Sequence, residues 1–144
     1  MALSPTILGK HRRVAIDSDI FIYYLGNDRR YAKQVAPLFE RLEHGSLTAV
    51  TSAITLSEIL VHPLRQRRPT AAADYLALLT DNPNLSFVAV DERIATEAAE
   101  LRARFRFGTP DAIQLATAKL HDATLFITND QKLRRADVPV VTLK

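Results

Sequence analysis

The sequence predicts an α/β protein, a three-layer α/β/α sandwich built on a mostly parallel five-stranded sheet. Two observations predict this fold class. Segments with strand and helix patterns alternate along the 144 residues, and the strand segments are continuous apolar runs, as in parallel strands covered on both faces. The length fits one domain, which we expect to span residues 1–144. A domain of this size buries roughly 68–70% of the surface of its unfolded chain, enough for a core without covalent staples.

Five short apolar runs predict the strands. The first is Val14-Ala15-Ile16, which ends directly at Asp17. The predicted strands span residues 14–16, 47–50, 85–90, 124–128 and 138–142. Helical segments separate them, which is the order of elements expected of a parallel sheet.

The first helices are predicted from their apolar spacing and their ends. Ser18 is placed to cap a short helix over residues 20–25, and a Gly-Asn-Asp turn ends it. A second helix ends at Gly45. Pro37 lies inside this second segment and predicts a kink or a second helix start.

The middle of the chain contains two further helices. Thr51 or Ser52 is expected to cap a helix over residues 53–62, and Pro63 is expected to close it. After a basic connector, an alanine- and leucine-rich segment over residues 70–80 predicts the next helix.

The last third has clear helix-start signals. Asp91 is expected to cap a helix. Further on, Thr109 is the expected N-cap and Pro110 the first residue of another helix. The predicted helices of this region span residues 92–105, 111–121 and 129–135.

Four acidic residues follow or interrupt segments with a buried pattern. They are Asp17, Glu58, Asp111 and Asp130. Asp17 ends the first strand and Asp130 lies just past the fourth, and ligands of such folds bind beyond the carboxyl ends of the strands. Two like charges about 5 Å apart repel by about 3 kcal/mol at an effective dielectric constant near 20, and a divalent cation relieves that repulsion. The pattern therefore predicts a metal-dependent enzyme.

Some of these carboxylates also have purely structural explanations. Asp17 can cap the helix that follows it, although Ser18 or Asp19 can do the same. Asp130 suits a turn, and Thr128 beside it adds a hydroxyl that can orient a ligand water.

The two helical carboxylates have structural explanations of the same kind. Glu58 would be ordinary on a solvated helix face, but Ile54 and Val61 on its stripe tilt it towards the interior. Asp111 lies in a first helical turn, where the helix dipole favours an acid. Against that explanation, Asp111 shares a face with Gln114, Leu115 and Ala118, and this face is expected to point inward.

Composition restricts the class of protein further. The chain has no cysteine, so neither a disulfide framework nor a thiolate zinc site is possible. No apolar run approaches the roughly 20 residues that span a bilayer. Residues 1–13 lack a long apolar segment, so we expect no secretion signal and a soluble, cytoplasmic protein with no membrane partner.

The charge balance favours a polyanionic partner. The formal net charge is +3, from 19 basic and 16 acidic residues, and it becomes 19 − 12 = +7 if the four carboxylates are neutralised by metal. A positive rim around an acidic pocket suits a nucleic acid. The basic residues cluster at residues 10–13, 29–30, 65–68, 102–106 and 134–135.

Four segments together resemble a known family. They read IDSDIFIYYL, SEIL, TPDAIQLATA and FITNDQKL, and they lie at residues 16–25, 57–60, 109–118 and 126–133. In order, spacing and surroundings they resemble the PIN-domain ribonucleases, and most closely the VapC-type toxins of toxin–antitoxin pairs. The resemblance covers nearly the whole chain, from about Val14 to Thr142.

The resemblance implies both a site and a set of partners. The four carboxylates would form the catalytic metal site, with Thr128 at the family's hydroxyl position. Asp19 falls where the family often has Asn, Ser or Thr, so it is either an extra outer-shell acid or a helix cap. The family's sheet order is 3-2-1-4-5. The resemblance further implies a cognate antitoxin, a homodimer, and RNA hydrolysis that leaves a 5′-phosphate and a 3′-hydroxyl.

Carboxylate oxygens are hard ligands, so the expected cofactor is Mg²⁺ or Mn²⁺. We expect Asp17 and Asp111 to be inner-shell ligands. Glu58 and Asp130 would hold metal-bound waters or a second ion, and one of them is a candidate general base. Zinc is not expected, because none of the four histidines forms an i, i+4 pair.

Two alternatives stay open at this point. Asp17-Ser18-Asp19 is similar to the opening motif of haloacid dehalogenase-like phosphatases, with Asp17 as nucleophile. That motif wants Thr or Val where Phe21 stands, and the chain is short for that family. The other alternative is a non-catalytic PIN-like domain that binds RNA or protein, against which a complete set of four acids argues.

Overall fold

A computed structural model describes residues 3–144 of the chain. In this part of the chain the strands are β1 (Arg13–Ile16), β2 (Thr48–Ser52), β3 (Leu85–Val88), β4 (Phe126–Thr128) and β5 (Val140–Thr142). The α-helices are α1 (Pro5–Gly9), α2 (Ser18–Leu25), α3 (Ala32–His44), α4 (Ile54–Arg65), α5 (Pro69–Thr80), α6 (Glu92–Phe105) and α7 (Thr109–Leu120). A 3₁₀ helix covers Gln131–Arg135.

The five strands form one fully parallel sheet in the order β3-β2-β1-β4-β5. Both the predicted fold class and the predicted strand order are confirmed. β1 is central, and Ala15 is aligned with Val50 of β2 and Phe126 of β4. Since all strands run the same way, their carboxyl ends share one edge of the sheet, where Asp17 and Thr128 lie.

Alternate residues of β1 enter two separate hydrophobic cores, one on each face of the sheet. Val14 and Ile16 join the core that α2 and α3 cover, whereas Ala15 joins the core that α6 and α7 cover. Side chains of a strand alternate between faces with a period of two, so helices on both sides are needed to bury this apolar run. The result is the three-layer arrangement.

The N-cap of α6 is as predicted, and its contribution to stability can be measured. Asp91 accepts a hydrogen bond from the backbone N–H of Ile94 at 2.9 Å. We expect Asp91→Ala to lower the free energy of unfolding by about 1 kcal/mol, because an N-terminal donor of the helix loses its partner. Urea denaturation measures the change. Asp81→Ala is the control, since Asp81 follows α5 as a C-cap residue, and an equal loss in the two variants would contradict a capping role.

Several predicted helix starts were wrong by one or two residues. Asp17, not Ser18, is the N-cap of α2, and Ser18 is its first residue. Thr51 and Ser52 belong to β2, because their backbone pairs with β3, and Ala53 is the N-cap of α4. Ser52 Oγ nevertheless accepts from Ile54 N–H at 3.2 Å, so its predicted contact with the helix start is present. Thr109 is already helical, and the N-cap of α7 is Gly108.

Neither internal proline ends or restarts its helix. α3 is one continuous helix around Pro37, because it buries an apolar stripe that includes Leu38 and Leu42. Pro63 is itself buried in the last turn of α4, and Gln66 N–H still donates to the carbonyl of His62 at 3.1 Å. Burial therefore offsets the backbone hydrogen bond that each proline removes.

Strands β3, β4 and β5 are shorter than predicted, and one helix was missed. β5 begins at Val140, and the carbonyl of the preceding Pro139 accepts from Phe126 N–H at 2.8 Å. Proline has no N–H to extend the ladder, so the strand cannot begin earlier with regular pairing. Helix α1 was not predicted, although its signal is present: Ser4 accepts from Ile7 N–H at 3.2 Å and Pro5 is the first helical residue.

Candidate functional site

Asp17 and Thr128 are joined at the carboxyl edge of the sheet. The Thr128 hydroxyl donates to Asp17 Oδ2 at 2.7 Å, and Ser18 N–H donates to Asp17 Oδ1 at 2.8 Å. The same threonine Oγ1 accepts from Asp130 N–H at 3.0 Å. Asp17 is only 7% exposed. The adjacency of β1 and β4 thus fixes the Asp17 carboxyl in one orientation and brings the Asp130 backbone beside it.

Asp19 is part of this acidic group and does not cap a helix. It lies in the first turn of α2, whose N-cap is Asp17. Its Oδ2 atom accepts from Asn129 N–H at 2.8 Å. Its Oδ1 atom is buried and has no hydrogen-bond partner among residues 3–144. A buried carboxylate oxygen without a partner is costly, so this oxygen is suited to a ligand that the protein atoms do not supply.

Asp111 and Glu58 reach the same region from two helices. Asp111 lies in the first turn of α7 and is half-buried, and Glu58 lies mid-way along α4 and is solvent-exposed. Glu58 therefore lies at the rim of the site, more exposed than its apolar stripe suggested. The negative charge of Asp111 nevertheless raises the pKa of both Asp17 and Glu58, so the three carboxylates lie within electrostatic reach.

The two carboxyls nearest the sheet have strongly raised pKa values. Burial raises the pKa of Asp17 to about 7, with the neighbouring charge of Asp19 acting in the same direction and the bond from Thr128 opposing it. Burial also raises the pKa of Asp19 to about 6, against the bond from Asn129 N–H. The charge of Asp130 adds to this shift. Without a cation these carboxyls hold their protons to unusually high pH.

The pKa values of Glu58 and Asp111, which lie on helices, are also raised, by burial and by neighbouring charge. Loss of hydration raises the pKa of Glu58, while hydrogen bonding from Ser18 and Gln114 lowers it. Loss of hydration and the charge of Asp130 raise the pKa of Asp111, which the positive charge of Lys132 lowers. Lys132 was not singled out from sequence, because one lysine in a short helix has no distinguishing pattern.

The carboxylate oxygens of these residues are the donor atoms that a hard divalent cation prefers. Their side chains are nevertheless not arranged as a complete set of metal ligands. Within residues 3–144 no group of three or more Asp, Glu or His side chains is close enough together to hold a metal ion. The fit is carried by the unpartnered Oδ1 of Asp19 and by the all-oxygen donor set. Repulsion between like charges favours wider spacing of carboxylates when no cation lies between them.

A cleft beside the carboxylates provides room for a second molecule. It has a volume of about 330 Å³ and lies between the N-terminal parts of α4 and α7. Glu58 forms one wall, Ile54, Pro110 and Ile113 add apolar surface, and hydroxyl-bearing residues complete the lining. An occupant of this cleft would lie against Glu58, at the rim of the acidic group.

Comparison with known proteins places the chain among characterised folds. The family profile described as "PIN domain" matches residues 14–139. A toxin–antitoxin complex from Klebsiella pneumoniae contains a chain 26% identical, with a TM-score of 0.68, and the match covers 90% of this chain and 96% of that one. No curated protein gives a significant match.

More distant structures share the fold. VapBC2 from Rickettsia felis, bound to a promoter DNA fragment, matches with a TM-score of 0.70 at 16% identity over 89% of this chain and 96% of that one. VapC20 from Mycobacterium tuberculosis, a toxin that cleaves the sarcin-ricin loop, matches with a TM-score of 0.64 at 14% identity over 78% and 86% of the two chains. In the part of the present chain that the structure describes, no helix combines the length and hydrophobicity needed to cross a bilayer.

Proposed function

Since this chain belongs to the PIN-domain family, we propose that it is a Mg²⁺- or Mn²⁺-dependent ribonuclease, the VapC-type toxin of a toxin–antitoxin pair. One observation carries the proposal. Carboxylates from four separate segments lie within electrostatic reach of one another, and burial, together with their mutual repulsion, raises the pKa of most of them. The phosphatase alternative has no support from the family match, and the complete acidic set disfavours a purely binding role.

The protein's residues have separate tasks in this proposal. When bound, a divalent cation would lower the pKa of a water and offset charge that develops on the phosphate. Asp17, oriented by Thr128, and Asp111 would hold the cation. Glu58 and Asp130 would orient the attacking water, and one of them would accept its proton. Asp19 would supply its free oxygen to the cation or to one of the cation's waters.

The surroundings of the carboxylates suit an RNA chain. The cleft between α4 and α7 opens at Glu58, so a nucleotide in it would present its phosphate to the acidic group. Lys132 lies close enough to affect Asp111 and would attract the same phosphate. Water would attack phosphorus as the bond to the 3′-oxygen breaks, leaving a 5′-phosphate and a 3′-hydroxyl.

The proposed partners are a cognate antitoxin and a second copy of the chain. The Klebsiella pneumoniae structure that this chain matches is a complex of toxin with antitoxin. An apolar groove lined by Ile22, Ile59 and Pro63 runs up to Glu58, and Ile22 is 47% exposed. An antitoxin segment lying in this groove would cover the acidic group at Glu58. An arginine of that segment would pair with the carboxylates.

Cleavage of RNA by the purified chain tests the proposal. The protein is incubated with total RNA from a bacterial cell in Mn²⁺, in Mg²⁺ and in EDTA, and the new ends are mapped by sequencing. We expect discrete cleavage with either cation, none in EDTA, and 5′-phosphate ends. Cleavage in EDTA or a cyclic phosphate product would contradict the metal-dependent mechanism.

The same site should make stability depend on metal. At a Mn²⁺ concentration of about 100 times its dissociation constant, binding to the native state adds about 2.7 kcal/mol. For a chain of this size we expect the melting temperature to rise by roughly 5–10 °C. Differential scanning calorimetry measures the rise, and Ca²⁺-free buffer with EDTA provides the baseline. A melting curve that Mn²⁺ leaves unchanged would count against the site.

A further inference from the structure

A fully buried polar cluster lies directly behind the carboxylates, and the proposed chemistry does not use it. Its members are Thr51 at the end of β2, Thr55 in the first turn of α4 and Gln114 in α7. Their exposed fractions are 1%, 0% and 2%. Buried polar side chains reduce the stability of the fold unless their hydrogen bonds are made within the protein. Apolar residues would fill the same space without that requirement.

The hydrogen bonds of this cluster have a fixed direction. Gln114 Nε2 can only donate, and it lies 2.7 Å from Thr55 Oγ1. The Ile16 carbonyl can only accept, and Thr51 Oγ1 donates to it at 2.8 Å. The bond between the two threonine hydroxyls, at 2.7 Å, must therefore run from Thr55 to Thr51. One chain of donors extends from the amide in α7 to the end of β1.

The orientation of the Gln114 amide is fixed as well. Ser52 N–H donates to Gln114 Oε1 at 3.3 Å, so a flipped amide would bring two donors together. One hydrogen on Nε2 goes to Thr55. Both ends of the Gln114 amide are therefore engaged, the nitrogen with α4 and the oxygen with the end of β2.

The cluster touches the elements that carry or directly precede three of the proposed metal-site carboxylates, Asp17, Glu58 and Asp111. Thr55 lies one helical turn before Glu58 on α4, and Gln114 lies one turn after Asp111 on α7. The far end of the chain of bonds is the carbonyl directly before Asp17. A change in any link would therefore move these carboxylates relative to one another.

We propose that Gln114 is a positioning residue of the metal site, which acts with Thr51 and Thr55 to hold α4, α7 and the end of β1 in the relative positions from which their carboxylates can close on a divalent cation. This inference rests on the proposed function. It adds to that function a residue that would position the metal ligands without itself binding the metal or the RNA phosphate. Hydrogen-bond partners behind metal ligands typically change metal affinity by about 10–100-fold when they are removed. We expect an effect of that order here.

Mn²⁺ binding, measured without RNA, tests this role. Gln114→Met keeps the approximate shape of the side chain and removes the amide. Thr55→Val replaces the hydroxyl with a methyl group. Isothermal titration calorimetry and the electron paramagnetic resonance signal of free Mn²⁺ give the dissociation constant. We expect both variants to weaken Mn²⁺ binding by about tenfold or more.

Two further variants separate positioning from general loss of stability. Thr117→Val replaces a buried hydroxyl of α7, the helix that carries Gln114. Within residues 3–144 this hydroxyl bonds to the Ile113 carbonyl, at 2.7 Å, and to no member of the cluster. We expect it to keep Mn²⁺ affinity within about twofold, whatever its melting temperature. Thr55→Ser restores the hydroxyl at the cluster and should restore the affinity that Thr55→Val loses. Circular dichroism checks that each variant is folded.

The outcomes distinguish the inference from the function on which it rests. If the wild-type chain binds no Mn²⁺, the proposed metal site fails and the positioning role fails with it. If the wild type binds Mn²⁺ and Gln114→Met and Thr55→Val bind it equally well, only the positioning role is overturned. Equal weakening by Thr117→Val would also overturn it, and should Gln114→Met not fold, the Thr55→Val and Thr55→Ser pair decides.

Discussion

Asp111→Asn is expected to reduce RNA cleavage by at least about 10²–10³-fold, the loss typical when one group that stabilises developing charge is removed. The substitution keeps the shape of the side chain and removes a negative charge that raises the pKa of Asp17 and Glu58. A neutral amide is a poor ligand for a hard cation. The measurement is the initial rate of cleavage of an RNA identified by sequencing, at saturating Mn²⁺.

Asp122→Asn is the matched control for this substitution. Asp122 is exposed and has a backbone φ of 62°, a left-handed conformation that Asn also adopts readily. We expect this variant to cleave RNA at the wild-type rate. If Asp111→Asn cleaved RNA as fast as Asp122→Asn does, Asp111 would have no part in the reaction, and the acidic group would have a structural role alone.

The second large effect concerns stability without metal. In EDTA, we expect the free energy of unfolding of the wild-type chain to fall as the pH rises from about 4 to about 7. The pKa of Asp17 is about 7 in the folded chain against 3.8 for the unperturbed group, so between these values the native state binds more protons than the unfolded state. By linkage the stability then declines with pH, by up to about 1.4 kcal/mol per pH unit for one group.

Asp17→Asn removes the carboxyl with the largest upward pKa shift, and with it the largest single contribution to this decline, to which Asp19 also contributes. At pH 8 in EDTA the variant should be more stable than the wild type, by up to about 4 kcal/mol for a shift of about three pKa units. At pH 4 the two should be close, because the wild-type carboxyl is then protonated. Urea denaturation at both pH values measures this. A variant less stable than the wild type at pH 8 would contradict an unfavourable charge at Asp17.

Metal should reverse this order of stability. Mn²⁺ is expected to stabilise the wild type, in which Asp17 is charged and available as a ligand, and to stabilise Asp17→Asn much less. The acidic group would then be a site where the chain gives up stability for function, since the same charge that destabilises the metal-free fold would bind the cation. Asp122→Asn should follow the wild type in both conditions.

The sequence by itself determined the fold class and the identity of the acidic residues. The alternation of apolar strands and amphipathic helices predicts a parallel sheet, and the structure has one, in the order that the family resemblance implied. Strand ends mark Asp17 and Asp130 as neighbours, because parallel strands end at one edge. These features depend on local pattern and on general rules of chain connection, which a single sequence contains.

Only the tertiary structure decided how each side chain is used. Asp19 was ambiguous between a helix cap and a member of the site, and its unpartnered oxygen appears only when α2 packs against the segment after β4. Gln114 looked like one inward-facing residue of α7 until β2 and α4 supplied its partners. The hydrogen bonds of Gln114 to Thr55 and of Asn129 to Asp19 join residues more than 50 positions apart in the sequence. These bonds, and the pKa shifts of the carboxyls around them, depend on distance in space, which local sequence pattern does not encode.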